Sequence, residues 1–455
     1  MTDTKQYKAD IRIVGEKIAE IGSNLPKSEN NGHEIDANRL LILPGGIDPH
    51  VHLSLPDNVP EKYHWADDFE SGSKAALAGG ITTLGCISVP EPNETPVETL
   101  KRETKAAQKL AIADIMIHPV LQTPTEEVLK EFPQLVEKGC TSVKVFMCTD
   151  NFDEYSLGYL KALQAAKNAG ILTMIHCEDN AIINATCQAL MAESRGSLSN
   201  YAESRPIISE VVATQRAVAM CEATGALIYV VHLSSERALK VCEKAQKCSL
   251  PVYVEGRPIF LYLTREQYLK PEGALYIVQP PLREASDVAA LWEGIRQGAI
   301  HTIATDHAPH THEQKLDPSL NITDLLPGIN ELQVMLPMLH SNGVLKGKIS
   351  LERFVALTST NVAKLFGLYP RKGTIQVGSD ADLALWDPTE EREVKKAELF
   401  SKAGFSIYEG MKITGWPQIT IRRGEVIYEG RKIKVQPGSG QVIQRTHPRA
   451  LIQSS

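Results

Sequence analysis

Apolar and polar positions alternate at both ends of the chain. ADIRIVGEKIAEIG and RLLILPG, within residues 1–45, and ADLALWDP and ITIRRGEVIYEGRKIKV, near the other end, carry the period-two pattern of half-buried strands. The two separated segments are expected to complete one small β-sandwich. Between them, the apolar runs ITTLGCISV, ADIMIHPVL, SVKVFM, ILTMIHC, ALIYVVHLSS, PVYVEGR, ALYIVQPPL and HTIATDHAPH alternate with helical stretches, which predicts repeated β-α units and a parallel sheet. Polar residues end many different strands, and no GxGxxG opens a helix after the first one. A closed (β/α)8 barrel explains that distribution better than an open doubly wound sheet. The expected organisation is therefore α/β. Residues 1–45 form the first part of the sandwich, 46–372 the barrel, 373–440 the second part of the sandwich and 441–455 a C-terminal tail. The stretch QPGSGQVIQRTHPRALIQSS reads as loosely packed and able to reach a neighbouring subunit.

Composition narrows the partners. A net charge of −7 provides no basic face for nucleic acid or anionic membranes, so a small neutral or weakly charged substrate is expected. No apolar run approaches the roughly 20 residues of a membrane helix. The polar start MTDTKQYKAD has no secretory character, which points to the cytoplasm. The eight cysteines include no CxxC pair and read as reduced, mostly buried thiols, with none assigned to zinc.

The chemistry begins in LPGGIDPHVHLSLPD, where His50 and His52 lie on one side of a strand and aim at one point. An isolated HxH is more often incidental than a site. Here His176 ends ILTMI, His232 ends ALIYVV and Asp306 ends HTIA, so each arrives where a barrel strand meets the catalytic face. Lys144 lies inside SVKVFM, where burying an ammonium is costly. Either it meets a carboxylate at the barrel end, or its neutral amine captures CO2 as a carbamate that bridges two metals, and the second reading is preferred. His307 and His310 are either orienting partners of the ligands or polar residues at a strand end. Arg205 and Glu210 read as a structural ion pair, and Asp67 and Asp68 as caps of a helix starting near Phe69.

These residues, together with DPHVHL (48–53), ADDFESGSKAALAGGITT (66–83), GCTSVKVFM (139–147), IHCED (175–179), ESRPIISE (203–210), QPPLR (279–283), ATDHAPH (304–310), LTSTNVAKLFGLYPRKGTIQVGSDADLALWDP (357–388) and YEGMKITGWP (408–417), resemble the cyclic amidohydrolases of the amidohydrolase superfamily, closest to the dihydropyrimidinase and hydantoinase group. The resemblance covers nearly the whole chain. It implies that His50, His52 and Asp306 hold one divalent metal, normally Zn2+, and that His176 and His232 hold a second. Carboxylated Lys144 bridges them, and Asp306 carries the proton from the attacking water to the leaving nitrogen. It also implies a homotetramer and, as substrate, a small cyclic amide or ureide opened to an N-carbamoyl amino acid. Allantoinase is the nearest alternative activity, and a non-catalytic scaffold protein of the dihydropyrimidinase-like kind is an alternative of another class. Dihydroorotase fits less well, because the arginine of its usual HxHxR is Ser54.

The pattern breaks at the substrate positions. The tyrosine that usually donates to the oxyanion is Thr149, with Tyr155 in the same loop either a stand-in or a residue of ordinary loop packing, and loss of one such donor typically costs roughly 100- to 1000-fold in rate. Gln279 replaces the serine before PPLR, and Asp324 the asparagine of NGxPG. EGRPIF brings Arg257 to the barrel mouth, either toward the substrate or into a surface ion pair.

Overall fold

The computed structural model describes residues 1–27 and 32–451, so the last four residues of the expected tail lie outside the described residues. Fifteen strands are described. The first three are β1 (Asp10–Val14), β2 (Lys17–Gly22) and β3 (Leu41–Pro44). Eight follow in the middle of the chain: β4 (Gly46–Val51), β5 (Ile81–Ser88), β6 (Asp114–Pro119), β7 (Ser142–Phe146), β8 (Leu172–His176), β9 (Ile228–Val230), β10 (Val252–Gly256) and β11 (Thr302–Ile303). The last four are β12 (Leu383–Glu393), β13 (Lys412–Arg422), β14 (Glu425–Glu429) and β15 (Lys432–Ile433).

Strands β4 to β6 pair in parallel in chain order, and so do β7 to β11. Parallel bridges Val120↔Lys144 and Val51↔His307 join the two sets at both seams, and Leu121 N–H and His52 N–H donate to the Lys144 and His307 carbonyls at 2.8 Å. The result is the closed (β/α)8 barrel that the alternation predicted. Its strands are buried along almost their whole length, as expected of a parallel sheet covered by helices. Local signals start the helices. Asp68 accepts from the backbone of Glu70 and Ser71 at the head of Phe69–Ala78, and a Thr95/Glu98 capping box opens Pro96–Leu110.

One expected strand is absent. ALYIVQPPL forms a 3-10 turn at Gly273–Tyr276 and then an irregular segment, and β4, which carries His50, completes the eight. Pro280 and Pro281 lack the N–H groups a ladder needs. The Ile277 carbonyl is satisfied instead by Gly328 N–H and by Lys315 Nζ.

The chain ends build the sandwich. β3 pairs antiparallel with β12 in the sheet β15-β14-β13-β12-β3, while β1 and β2 form a separate hairpin. Alternation along β12 serves two cores at once. Leu383 and Leu385 join Ile18, Ile419 and Ile421 inside the sandwich, whereas Ala384 and Trp386 join the main core against the barrel.

Between sandwich and barrel lies a buried ionic hub. Lys372 Nζ is 2.7 Å from Asp114 and 3.5 Å from Asp380, and it also bonds Asp382, while Arg423 reaches Asp114 at 3.2 Å. Removing one member of such a group leaves its partners as uncompensated buried charges. Lys372→Met is therefore expected to lower stability by about 3–5 kcal/mol, read as a lower urea midpoint in equilibrium unfolding.

The tail does not hang free over its described length. Val442 bridges Ile115 in parallel, Ile443 is buried, and Arg445 donates to Ser142 Oγ at 2.7 Å and to the Ile117 carbonyl at 2.9 Å. The segment closes the floor of its own barrel, at the strand ends opposite the histidines. The Pro- and Gly-rich composition concealed a short apolar anchor. All eight cysteines are unpaired and five are buried, and no helix among the described residues is long and apolar enough to cross a membrane.

Candidate metal centre

Five strands deliver the expected ligands to one end of the barrel. His50 lies in β4 with His52 just beyond it, Lys144 in β7, and His176 is the last residue of β8; His232 is the second residue after β9 and Asp306 the third after β11. His52 Nε2 is 3.0 Å and His50 Nε2 3.3 Å from the same oxygen, Asp306 Oδ1. His176 Nδ1 faces His232 Nε2 at 3.1 Å, and the His50 and His232 rings stack with centroids 5.4 Å apart, so the two groups adjoin. Lys144 Nζ lies 3.3 Å from His50 Nε2, is fully buried and has no carboxylate within ion-pair distance. Burial lowers its pKa to about 8, bringing the neutral amine within reach near neutral pH.

The donor set suits a cation. Burial drives His50 and His232 well below the usual imidazole range, and the Lys144 charge adds to the effect at His50, so both rings are neutral and present lone pairs. Burial opposes ionisation of Asp306, but the Arg257 guanidinium and the surrounding imidazoles hold it well below the usual carboxylate range. His50, His52 and Asp306 bring one ligand atom each within 4.8 Å of one another, a compact two-nitrogen, one-oxygen cluster for a divalent metal. His232 and Asp306 have φ of +35° and +48°, a left-handed conformation that costs a non-glycine residue energy and is held at functional sites by its surroundings.

A model of the Amidohydrolase family matches residues 41–427. The chain belongs to the amidohydrolase family. Similar proteins include a D-hydantoinase of Geobacillus stearothermophilus, 37% identical over 99% of this chain and 96% of that protein, and a D-hydantoinase of Ralstonia pickettii, 34% identical over 96% and 95%. Among solved structures, dihydropyrimidinase from Brevibacillus agri superposes with a TM-score of 0.92 at 34% identity, covering 98% of this chain and 97% of that one. The amidohydrolase is thus similar to hydantoinases over nearly its whole length.

Around the candidate ligands, this amidohydrolase carries carboxylates that its sequence did not single out. Glu255 Oε1 sits 2.9 Å from His50 Nδ1 and accepts from His232 N–H at 2.8 Å, and Glu178 Oε2 sits 2.8 Å from His176 Nε2. Each holds the ring nitrogen away from the cluster and so aims the other one inward. Asp48 accepts from Thr305 Oγ1 at 2.6 Å and from His50 N–H at 3.0 Å, fixing the end of β4 against the end of β11. Trp65 stands edge-on to His52, centroids 4.9 Å apart, and walls one side.

Several expected pairings are exchanged. Arg205 forks onto Glu178 at 2.6 and 3.1 Å, not onto Glu210, which accepts from Ser234 and lies 3.9 Å from Arg283. Asp68 caps its helix, but Asp67 bonds His307 Nε2 at 2.9 Å and the Lys402 backbone at 2.8 Å. Arg257 makes neither a surface pair nor an open pocket wall. It is buried against Asp306 and Glu331.

The four substrate candidates are spread more widely. Thr149 is exposed and its hydroxyl donates to the Phe146 carbonyl at 3.2 Å; Tyr155 is half-buried against the main core. Gln279 is half-buried, and the exposed Asp324 carboxylate accepts from Asn321 Nδ2 at 2.7 Å. Among the described residues, none of the four hydrogen-bonds to a candidate ligand. Lys315 Nζ, fully buried, donates to the carbonyls of Ile277, Leu326 and Gly328 at 2.9, 3.0 and 2.7 Å, stapling together the segments that carry Gln279 and Asp324.

Proposed function

We propose that this amidohydrolase opens the ring amide of a dihydropyrimidine or hydantoin-type cyclic ureide, releasing an N-carbamoyl amino acid. The reading takes His50, His52 and Asp306 as ligands of one divalent cation, His176 and His232 as ligands of a second, and Lys144, carboxylated by CO2, as the bridge. It takes the metal to be zinc and the assembly to be a homotetramer. The observation that supports it is the fully buried Lys144 amine, which among the described residues has no carboxylate within ion-pair distance and lies 3.3 Å from His50 Nε2. A lysine kept for structure would be expected to bond an acid directly, whereas Asp306 and Glu255 act on Lys144 only from beyond ion-pair distance.

When bound, two divalent cations supply an acidified water and a polarised amide carbonyl. The chain's own residues do the rest. Glu255 and Glu178 fix the tautomers of His50 and His176. Asp306 accepts the proton of the attacking water and returns it to the ring nitrogen as the C–N bond breaks. Trp65 shields one flank from bulk water. The scaffold alternative is disfavoured because every expected ligand position is filled.

The test is ring opening of hydantoin, dihydrouracil, allantoin and dihydroorotate by protein purified from zinc-supplemented medium, with metal content measured on the same sample. Turnover of hydantoin or dihydrouracil with about two metals per chain is the expected result. Turnover of allantoin alone would move the assignment to allantoinase. Silence across the panel with less than one metal per chain would restore the scaffold reading.

A further inference from the structure

Two stretches of sequence remain unexplained by the ligand set: EGRPIF, which contains Arg257, and YEGMKITGWP, which begins at Tyr408 far outside the barrel strands. The structure joins them. Arg257 Nη1 donates to Asp306 Oδ2 at 2.7 Å, and Nη2 donates to the backbone carbonyl of the same residue at 3.1 Å. Its Nε faces Glu331 Oε2 at 3.4 Å, and the other oxygen of Glu331 accepts from the Tyr408 hydroxyl. Arg257, Glu331 and Tyr408 are all buried to within 1%. A second chain runs alongside: Ser401 Oγ and Lys402 N–H bond Asp67, Asp67 bonds His307 Nε2, and His307 Nδ1 accepts from Glu331 N–H.

We propose that Arg257 is the positioning residue of Asp306, gripping its carboxylate and its carbonyl together so that Oδ1 alone is presented to His50 and His52, and that Glu331 and Tyr408 brace the grip from the C-terminal segment. The proposal rests on the reading of Asp306 as ligand and proton carrier. Its physical basis is the planar fork of a guanidinium, which fixes two acceptors of one residue at once where an ammonium holds only a point. The grip also bears on the backbone, because Asp306 sits at φ +48°, a left-handed conformation that is mildly costly even for an aspartate and that the bond from Arg257 to its carbonyl helps to hold. With Oδ2 and the carbonyl both held, the carboxylate cannot rotate to exchange its oxygens.

The test compares the full chain with Arg257→Lys and Arg257→Met, all zinc-loaded, on the cyclic ureide that the unaltered chain opens fastest. kcat, KM and bound metal are measured, together with the visible absorption of the cobalt(II)-loaded forms as a readout independent of turnover. Both variants are expected to keep their metal and to lose kcat by about 10- to 100-fold. KM should move by less than about threefold, since the grip acts on the reacting geometry and not on ground-state binding. The cobalt band should shift in position or intensity, because the carboxylate ligand is no longer held in one orientation. An unchanged kcat and cobalt spectrum in Arg257→Lys would overturn the proposal, and so would a rate loss that follows metal loss one for one. If Arg257→Met does not fold, Arg257→Lys decides alone, because lysine occupies the same space without the fork. If the unaltered chain opens no ring, the proposed activity fails separately, and the cobalt spectra decide on Arg257 by the same criterion.

Discussion

Lys144→Ala is expected to abolish ring opening and to lower bound metal, with folding retained. In the proposed arrangement the carboxylated Lys144 joins both ligand groups, so its removal would weaken each cation's site as well as their spacing. Lewis-acid stabilisation of the developing charge is worth several kcal/mol, and at a tenfold rate change per roughly 1.4 kcal/mol the loss in kcat/KM is about 1000-fold or more. Stability of the metal-free protein should suffer little by comparison, because burial already disfavours the ammonium form of the unmodified Lys144. Two further measurements separate a carbamate from a lysine amine acting directly. Apoprotein reloaded with zinc should regain activity faster in bicarbonate than in CO2-depleted buffer. Acetate or propionate, entering the space left by the side chain, should restore part of the alanine variant's activity, since a free carboxylate offers the same two oxygens as a carbamate. Full activity of Lys144→Ala would end the bridging role outright.

The barrel and the gathering of the candidate ligands at one of its ends were legible in the sequence for a simple reason. A buried parallel strand is an apolar run, and a polar residue at its end has few structural uses, so His176, His232 and Asp306 stood out against ILTMI, ALIYVV and HTIA. The carboxylates that orient those ligands carried no such mark. Glu255 follows the same rule, at the end of VYV, but within EGRPIF it was overshadowed by Arg257. Glu178 and Glu331 lie in loops, where neither period applies. Partner choice was equally invisible. Arg205 finds Glu178 across 27 positions and Asp67 finds His307 across 240, distances over which local pattern says nothing. ALYIVQPPL misled for the opposite reason, being an apolar run whose length fits a strand while its prolines forbid the ladder. The anchoring of the tail carries little signal because Val442 and Ile443 are a lone apolar pair within the polar run 436–449, and two residues suffice when the barrel floor offers a free edge at Ile115.

Asp306→Asn should cost more than the loss of a base alone. The two oxygens of Asp306 face different company: Oδ2 meets the Arg257 guanidinium, which can only donate, and Oδ1 meets the Nε2 atoms of His50 and His52. Asparagine has one acceptor and one donor end. Arg257 claims the amide oxygen, since the reverse would set N–H groups against a buried guanidinium. The amide NH2 then points at the imidazole lone pairs, occupying them as hydrogen-bond acceptors where they should bind a cation. General acid–base catalysis contributes about 100- to 10,000-fold, and weakened metal binding adds to that, so kcat is expected to fall to the upper end of that range or beyond. Metal content should drop as well, in contrast to Arg257→Lys, which keeps the carboxylate. Rate and metal are measured together on each variant. A rate within tenfold of the unaltered chain, with metal intact, would show that Asp306 neither carries the proton nor completes the cation's coordination, and that another group must return the proton to the leaving nitrogen.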